Sequence, residues 1–153
     1  MDDLGYVPTV VGVQEARDRT GELSSQVLDA IGVKGKITEP GPGVSVCPAD
    51  PKKEKLYRVR HPWALYGIPD SSLEKGMANL REKLPKNGWK IIADREAESE
   101  DRDPVIHAEH EEMRYALDVV WERETAEHDP QISVTLLSAC FETPEGESPQ
   151  GEF

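Results

Sequence analysis

The spacing of apolar residues along the chain predicts two helices and a series of strands. Between residues 14 and 31, Ala16, Thr20, Leu23, Val27 and Ile31 recur three or four positions apart, the period that lines one face of a helix. Gly32 follows the last of them, where a left-handed residue closes a helix at little steric cost. A second stripe, Leu73, Met77, Leu80 and Leu84, starts beside Ser71 and Glu74, which are spaced as a capping box, and stops at Pro85. Alternation takes over elsewhere. Along 56–66, Tyr57 and Val59 share one side while Leu56, Arg58 and Arg60 share the other. Strands are also expected over 89–93, 105–110, 113–122 and 132–141. Tyr115, Leu117, Val119 and Trp121 form one face of the third of these, and Ile132, Val134 and Leu136 one face of the last.

Polar punctuation divides these elements. Residues 39–51 hold four prolines, which donate no backbone hydrogen bond, so a loop is expected in which only 44–47 can pair as a short edge strand. Pro62 marks an edge, a bulge or the end of its strand. The segment 94–103, with six acids and two arginines, is read as a loop. Short links between successive strands favour antiparallel pairing. The expectation is an α+β fold, with two helices packed on one face of a four- or five-stranded, mainly antiparallel sheet. It comprises an N-terminal arm (1–13), a single domain (14–141) and a Pro/Gly/Glu-rich tail (142–153) expected to be disordered.

Composition narrows the classes of function. A chain of 153 residues fits one domain with one core. Its net charge of −12 argues against nucleic acid, whose phosphates require a basic surface. That charge is uneven: residues 1–76 carry 10 Lys and Arg against 11 Asp and Glu, and residues 77–153 carry 8 against 19. An acidic C-terminal half suits a cationic partner, or serves solubility alone. No apolar run approaches the roughly 18 residues of a transmembrane helix. The short apolar stretch after Leu4 has no basic flank, so it is not read as a signal peptide.

The layout of the first helix, the SVCP segment at 45–48, the SSLEKGMANLREKL helix, the NGW turn at 87–89 and SVTLLSACF at 133–141 resembles small actinobacterial cell-envelope lipoproteins over roughly residues 14–145. The resemblance implies an extracytoplasmic location, with any lipid anchor on a removed N-terminal segment, and it implies no assigned reaction. In such a setting Cys47 and Cys140, both at strand ends, are expected to form a disulfide. The alternatives are two inert buried thiols, in keeping with a cytoplasmic location, or a nucleophile assisted by one of the four histidines.

No other motif names a chemistry. His107 and His110 lie three apart on a predicted strand, so their rings point to opposite faces and no metal site is assigned. The acidic segment 94–103 lacks the calcium-loop pattern. No phosphate-cradling glycine loop and no catalytic residue is assigned, and no cofactor is expected. Weak binding candidates remain. Trp63 and Tyr66, in the Pro-bounded HPWALYGIP segment, can stack on a sugar or peptide, or plug the end of a sheet. Arg58 and Arg60 can hold an anion, or pair across strands with acids of the hairpin. The leading expectation is a non-catalytic, monomeric binding or accessory domain of the envelope or secreted space, with a protein, peptide or lipid as partner. An acidic immunity or inhibitor protein that masks a basic partner, and a small enzyme with a dispersed site, are the competing classes.

Overall fold

The computed structural model describes residues 6–38, 41–48, 55–98 and 102–148. Helix α1 spans Val13–Ile31 and α2 spans Asp70–Lys83. The strands are β1 (Lys36–Ile37), β2 (Gly43–Val46), β3 (Leu56–Tyr66), β4 (Lys90–Glu96), β5 (Pro104–His110), β6 (Tyr115–Glu122), β7 (Gln131–Ser138) and β8 (Phe141–Glu142). They form one antiparallel sheet in the order β1-β3-β7-β6-β5-β4, with β2 and β8 also paired to β3.

The class is α+β, as the sequence predicts, but among the described residues the sheet has eight strands instead of four or five. The additional strands are short pieces on the two edges of β3. β1 has two residues, too few to show alternation, and β2 has four inside the proline-rich segment. The strand expected over 132–141 is broken. Tyr57 pairs with Phe141 and Arg60 with Leu137, so two residues of β3 face three of the partner, Ser138, Ala139 and Cys140. That extra residue is a β-bulge, which bends the strand and separates β8 from β7.

Pro62 sits within β3 because its ring faces a gap. Ala64 donates its N–H to Thr38 Oγ1 (2.9 Å) on the β1 side, and Pro62, two residues earlier, turns the same way. There β1 has ended and β2 has not begun, so no ladder bond is lost. The acidic segment also differs from expectation. Asp94, Arg95 and Glu96 belong to β4 and pair with Ile106, Val105 and Pro104. β4 is the last strand of the sheet and its polar side chains reach water, so charge does not exclude them. Residues 99–101 lie outside the described set, as do 39–40 and 49–51 of the loop.

Alternation sets the core. Leu65, Ile132 and Trp121 form one row across β3, β7 and β6, and Trp63, Val134 and Val119 form the next. All six are buried, under α1 and α2 together. Gly32 closes α1 with φ 68°, as predicted, and Asn79 of α2 donates to the Ile31 carbonyl (2.8 Å). The helices approach closely at Gly76, where a Cβ would come within 2.8 Å of Ile31 Cγ2.

The capping box is not used. α2 begins at Asp70, behind Pro69, with no side-chain cap, and Ser71 is exposed. Asp70 serves the sheet instead: its carboxylate accepts from Trp121 Nε1 (2.8 Å) and Glu124 N (3.1 Å). The described part of the tail is ordered into the domain. Glu142 lies in β8, Thr143 is buried, and Glu147 Oε1 accepts the N–H of Val13 (2.9 Å) at the start of α1. Residues 149–153 lie outside the described set.

These contacts make Asp70, and not Ser71, the residue on which the start of α2 depends. Asp70→Ala is expected to cost about 1–3 kcal/mol in urea unfolding, because it strips bonds to a carboxylate from two donors. Ser71→Ala should change stability by less than about 0.5 kcal/mol. The two faces of β7 can be told apart in the same way. Leu136→Ala should cost about 2–5 kcal/mol by opening a cavity, and Leu137→Ala about 1 kcal/mol or less. Equal losses at 136 and 137 would contradict the assignment of Leu137 to an uncovered face.

Candidate functional site: the open sheet face

The strand residues that point away from the helices form a second face, and the registers arrange them in rows. One row runs Arg60, Leu137, Ala116, Glu109 across β3, β7, β6 and β5. The next runs Pro62, Thr135, Asp118, His107, and the third Ala64, Ser133, Val120, Val105. A fourth holds Tyr66, Gln131 and Glu122. Along β7 the first three rows are apolar or hydroxylated, with Leu137, Thr135 and Ser133. Arginine lies on its β3 side, and carboxylates lie on β5 and β6.

Several polar groups here hold one another. His107 Nδ1 bonds the Asp118 carboxylate. Glu122 Oε1 accepts from Gln131 Nε2 (2.9 Å) and from the Ser133 hydroxyl. These pairs fix side-chain positions on an otherwise solvated surface.

At one end the face deepens into a cleft of about 530 Å³. Ala116 and Leu137 lie along it, Ile92 and Lys90 belong to its β4 side, and Tyr6 and Arg114 to its arm side. Its charges balance, Lys90 and Arg114 against Glu109 and Glu111, so the lining selects no sign of ligand charge. Ile92 reaches the cleft because β4 is irregular between Ile91 and Ala93, which leaves Ile92 52% exposed.

The wall on the other side is the arm. Tyr6 lies under the Arg114 guanidinium (5.2 Å), Arg114 Nη1 donates to the Val7 carbonyl (2.5 Å), and the Tyr6 hydroxyl accepts from Cys140 N (2.8 Å). Further along, Val11 N donates to the Glu142 carbonyl (2.9 Å), and Tyr57 donates its hydroxyl to the Val11 carbonyl (2.5 Å). Residues 6–12 are therefore docked on the end of the sheet. Cys47 and Cys140 are joined, with Cα atoms 5.8 Å apart in space and the residues 93 positions apart in sequence. The bond links the end of β2 to the bulge before β8, segments that pair with opposite edges of β3.

The candidates from sequence are dispersed. Trp63 faces the helices and is buried, whereas Tyr66 lies on the open face and is 38% exposed, so the two do not form one stacking surface. The indole N–H of Trp63 has no partner among the described residues. Arg58 and Arg60 are on the open face, but their strand neighbours are Ser45, Gly43 and Leu137, not the hairpin acids. β7 and β6 stand between Arg60 and Glu109. The histidines do diverge, as expected. His107 is on the open face, while His110 is buried edge-on against Trp89 (5.2 Å), and its Nδ1 accepts from Met113 N (3.1 Å).

Two features were missed in the sequence. Tyr6 and Ile92 line the cleft through an arm contact and a bulge, and neither leaves a periodic signal. The Ser24 hydroxyl meets His61 Nδ1 at 2.6 Å beside a small recess of about 160 Å³. Ser24 is 6% exposed, within the buried stripe of α1, so this pair ties helix to sheet at the edge of that recess. Compared with protein families, characterised proteins and solved structures, the chain matches none.

The Tyr57 hydroxyl that holds the arm titrates abnormally. Burial, then the nearby charge of Glu147, pushes it well above the usual tyrosine range. Burial also raises Tyr115, whose hydroxyl shares a hydrogen bond with Thr20 Oγ1 (2.5 Å). The unfolded chain loses these protons near pH 10 while the folded chain keeps them, so stability is full below about pH 10 and falls as pH rises beyond it. Tyr57→Phe should cost about 1–2 kcal/mol at pH 7, because the Val11 carbonyl loses its donor. It should also make the decline above pH 10 shallower. Urea unfolding from pH 7 to 11 checks both, and parallel curves for the two proteins would show that Tyr57 carries none of the alkaline loss.

Proposed function

We propose that this chain is a non-catalytic binding or accessory domain of the cell envelope or secreted space, and that it works through the open face of its sheet. The observation that carries the reading is the asymmetry of the sheet. Among the described residues both helices and the main core lie on one side, and no helix covers the other across β3, β7, β6 and β5, although Ala64 and Val105 there are buried. A solvated face with Leu137 and Val120 exposed in part among ordered polar pairs suits recognition of a partner surface. The cleft between Tyr6 and Ile92 offers a place for a protruding side chain or an acyl group.

The compartment rests on the Cys47–Cys140 bond. A bond of this kind persists where thiols are not kept reduced, outside the cytoplasm. Among the described residues no helix is long and apolar enough to cross a membrane. Attachment by a lipid, as the likeness to envelope lipoproteins suggests, belongs to the same proposal.

The test is to trap thiols in the cells that make the protein. Acid quenching, alkylation and mass spectrometry before and after reduction should show both cysteines blocked until reductant is added. Two cysteines alkylated before reduction would place the chain in a reducing compartment and overturn the extracytoplasmic reading.

A further inference from the structure

We infer that the open face docks against the same face of a second copy of this chain, about a twofold axis that runs along the strands between β6 and β7. The inference rests on the reading of that face as a binding surface and names its partner. It replaces the expectation of a monomer.

The argument comes from the row order. β3, β7, β6 and β5 are consecutive in the sheet, so an axis between the middle two exchanges β3 with the partner's β5 and β7 with the partner's β6. Rows are kept. Arg60 then faces the partner's Glu109, and Leu137 meets the partner's Ala116. In the following rows Thr135 meets the partner's Asp118, and Ser133 meets the partner's Val120. Every contact occurs twice, as an isologous interface requires.

The pairings are complementary in charge and in size. A guanidinium opposes a carboxylate, a leucine opposes an alanine, a hydroxyl opposes a carboxylate, and a valine opposes a serine. Arg60 and Glu109 are both exposed, and neither makes an ion pair among the described residues. A twofold axis across the strands through the second row is disfavoured, since it would set Asp118 against its own copy.

The size of the face fits a reversible contact. Four strands about 4.8 Å apart and four rows about 6.8 Å apart cover roughly 500 Å² per copy, or about 1,000 Å² in all. That is the lower limit for a specific interface, so association should depend on concentration. The two sheets would pack with their strands within about 30° of one another.

Sedimentation equilibrium on the oxidised chain, from micromolar to millimolar concentration, should show a mass that rises toward twice that of the monomer. Arg60→Glu and Glu109→Arg should each weaken self-association about tenfold or more, and the double variant should recover most of the loss. Ala116→Arg, which places a long cation opposite the partner's Leu137, should abolish it while leaving the urea midpoint of the dilute monomer unchanged. A constant monomer mass up to millimolar concentration would overturn the inference, and so would a dimer that none of the four variants weakens. In either case the binding reading and its thiol test stand or fall separately.

Discussion

β3 takes partners on both edges, β1 and β2 on one and β7 and β8 on the other, and the register it imposes decides which side chains of the other strands reach the helices. A one-residue slip of β7 against β3 would turn Ile132, Val134 and Leu136 to water and bring Ser133, Thr135 and Leu137 under α1 and α2. The buried rows stand against that slip. They place Leu65, Ile132 and Trp121 beneath α2, where Asp70 accepts the indole N–H and where only glycine at 76 leaves room for Ile31. The core and the open face are thus two consequences of one register.

Both ends of the described chain are bound to the same corner of this framework. The arm reaches β8 through Val11, and the tail reaches α1 through Glu147. The disulfide closes a loop across that corner, and its chain-entropy contribution is roughly 4.6 kcal/mol where the native geometry is unstrained. Tyr57 lies beneath all three features, fully buried, with its hydroxyl on the arm and its ring edge-on to Phe141 of β8. Loosening any one of them exposes backbone groups that the others cannot satisfy.

How much of this was legible depends on the range of the interaction. The apolar stripes of α1 and α2 and the alternation in β3, β6 and β7 are local signals, and they placed the two helices and most of the core. The cysteine pairing was one of three open readings, favoured because both residues end strands. The short strands β1 and β2 carry no periodicity, and their pairing depends on how the chain returns to β3. The capping box failed for a related reason. Ser71 and Glu74 have the local pattern, but Asp70 is drawn to Trp121 and Glu124, about fifty residues away, and the helix starts two residues earlier, with Pro69 in the N-cap position. The open face was the least legible feature. Arg60, Leu137, Ala116 and Glu109 become neighbours only through three successive registers, so the sequence could offer Trp63 and Tyr66 as a pair that the strand then divides.

The same registers explain why association should proceed by the face and not by an edge. β4 ends the sheet with Lys90, Asp94, Arg95 and Glu96 along it and an irregularity at Ile92, features that prevent a flat edge from recruiting another strand. At the opposite end β1 and β2 cover most of the free edge of β3, and Pro62 leaves no donor in the gap between them. Among the described residues neither edge offers a long, flat strand to which a partner could add by backbone hydrogen bonding. What remains is the face, where half-buried Leu137 and Val120 supply a modest driving force and the rows of Arg60, Glu109, Thr135 and Asp118 fix the register. With Asp118 held by His107, and Glu122 by Gln131 and Ser133, such a surface is too polar to form a second permanent core layer.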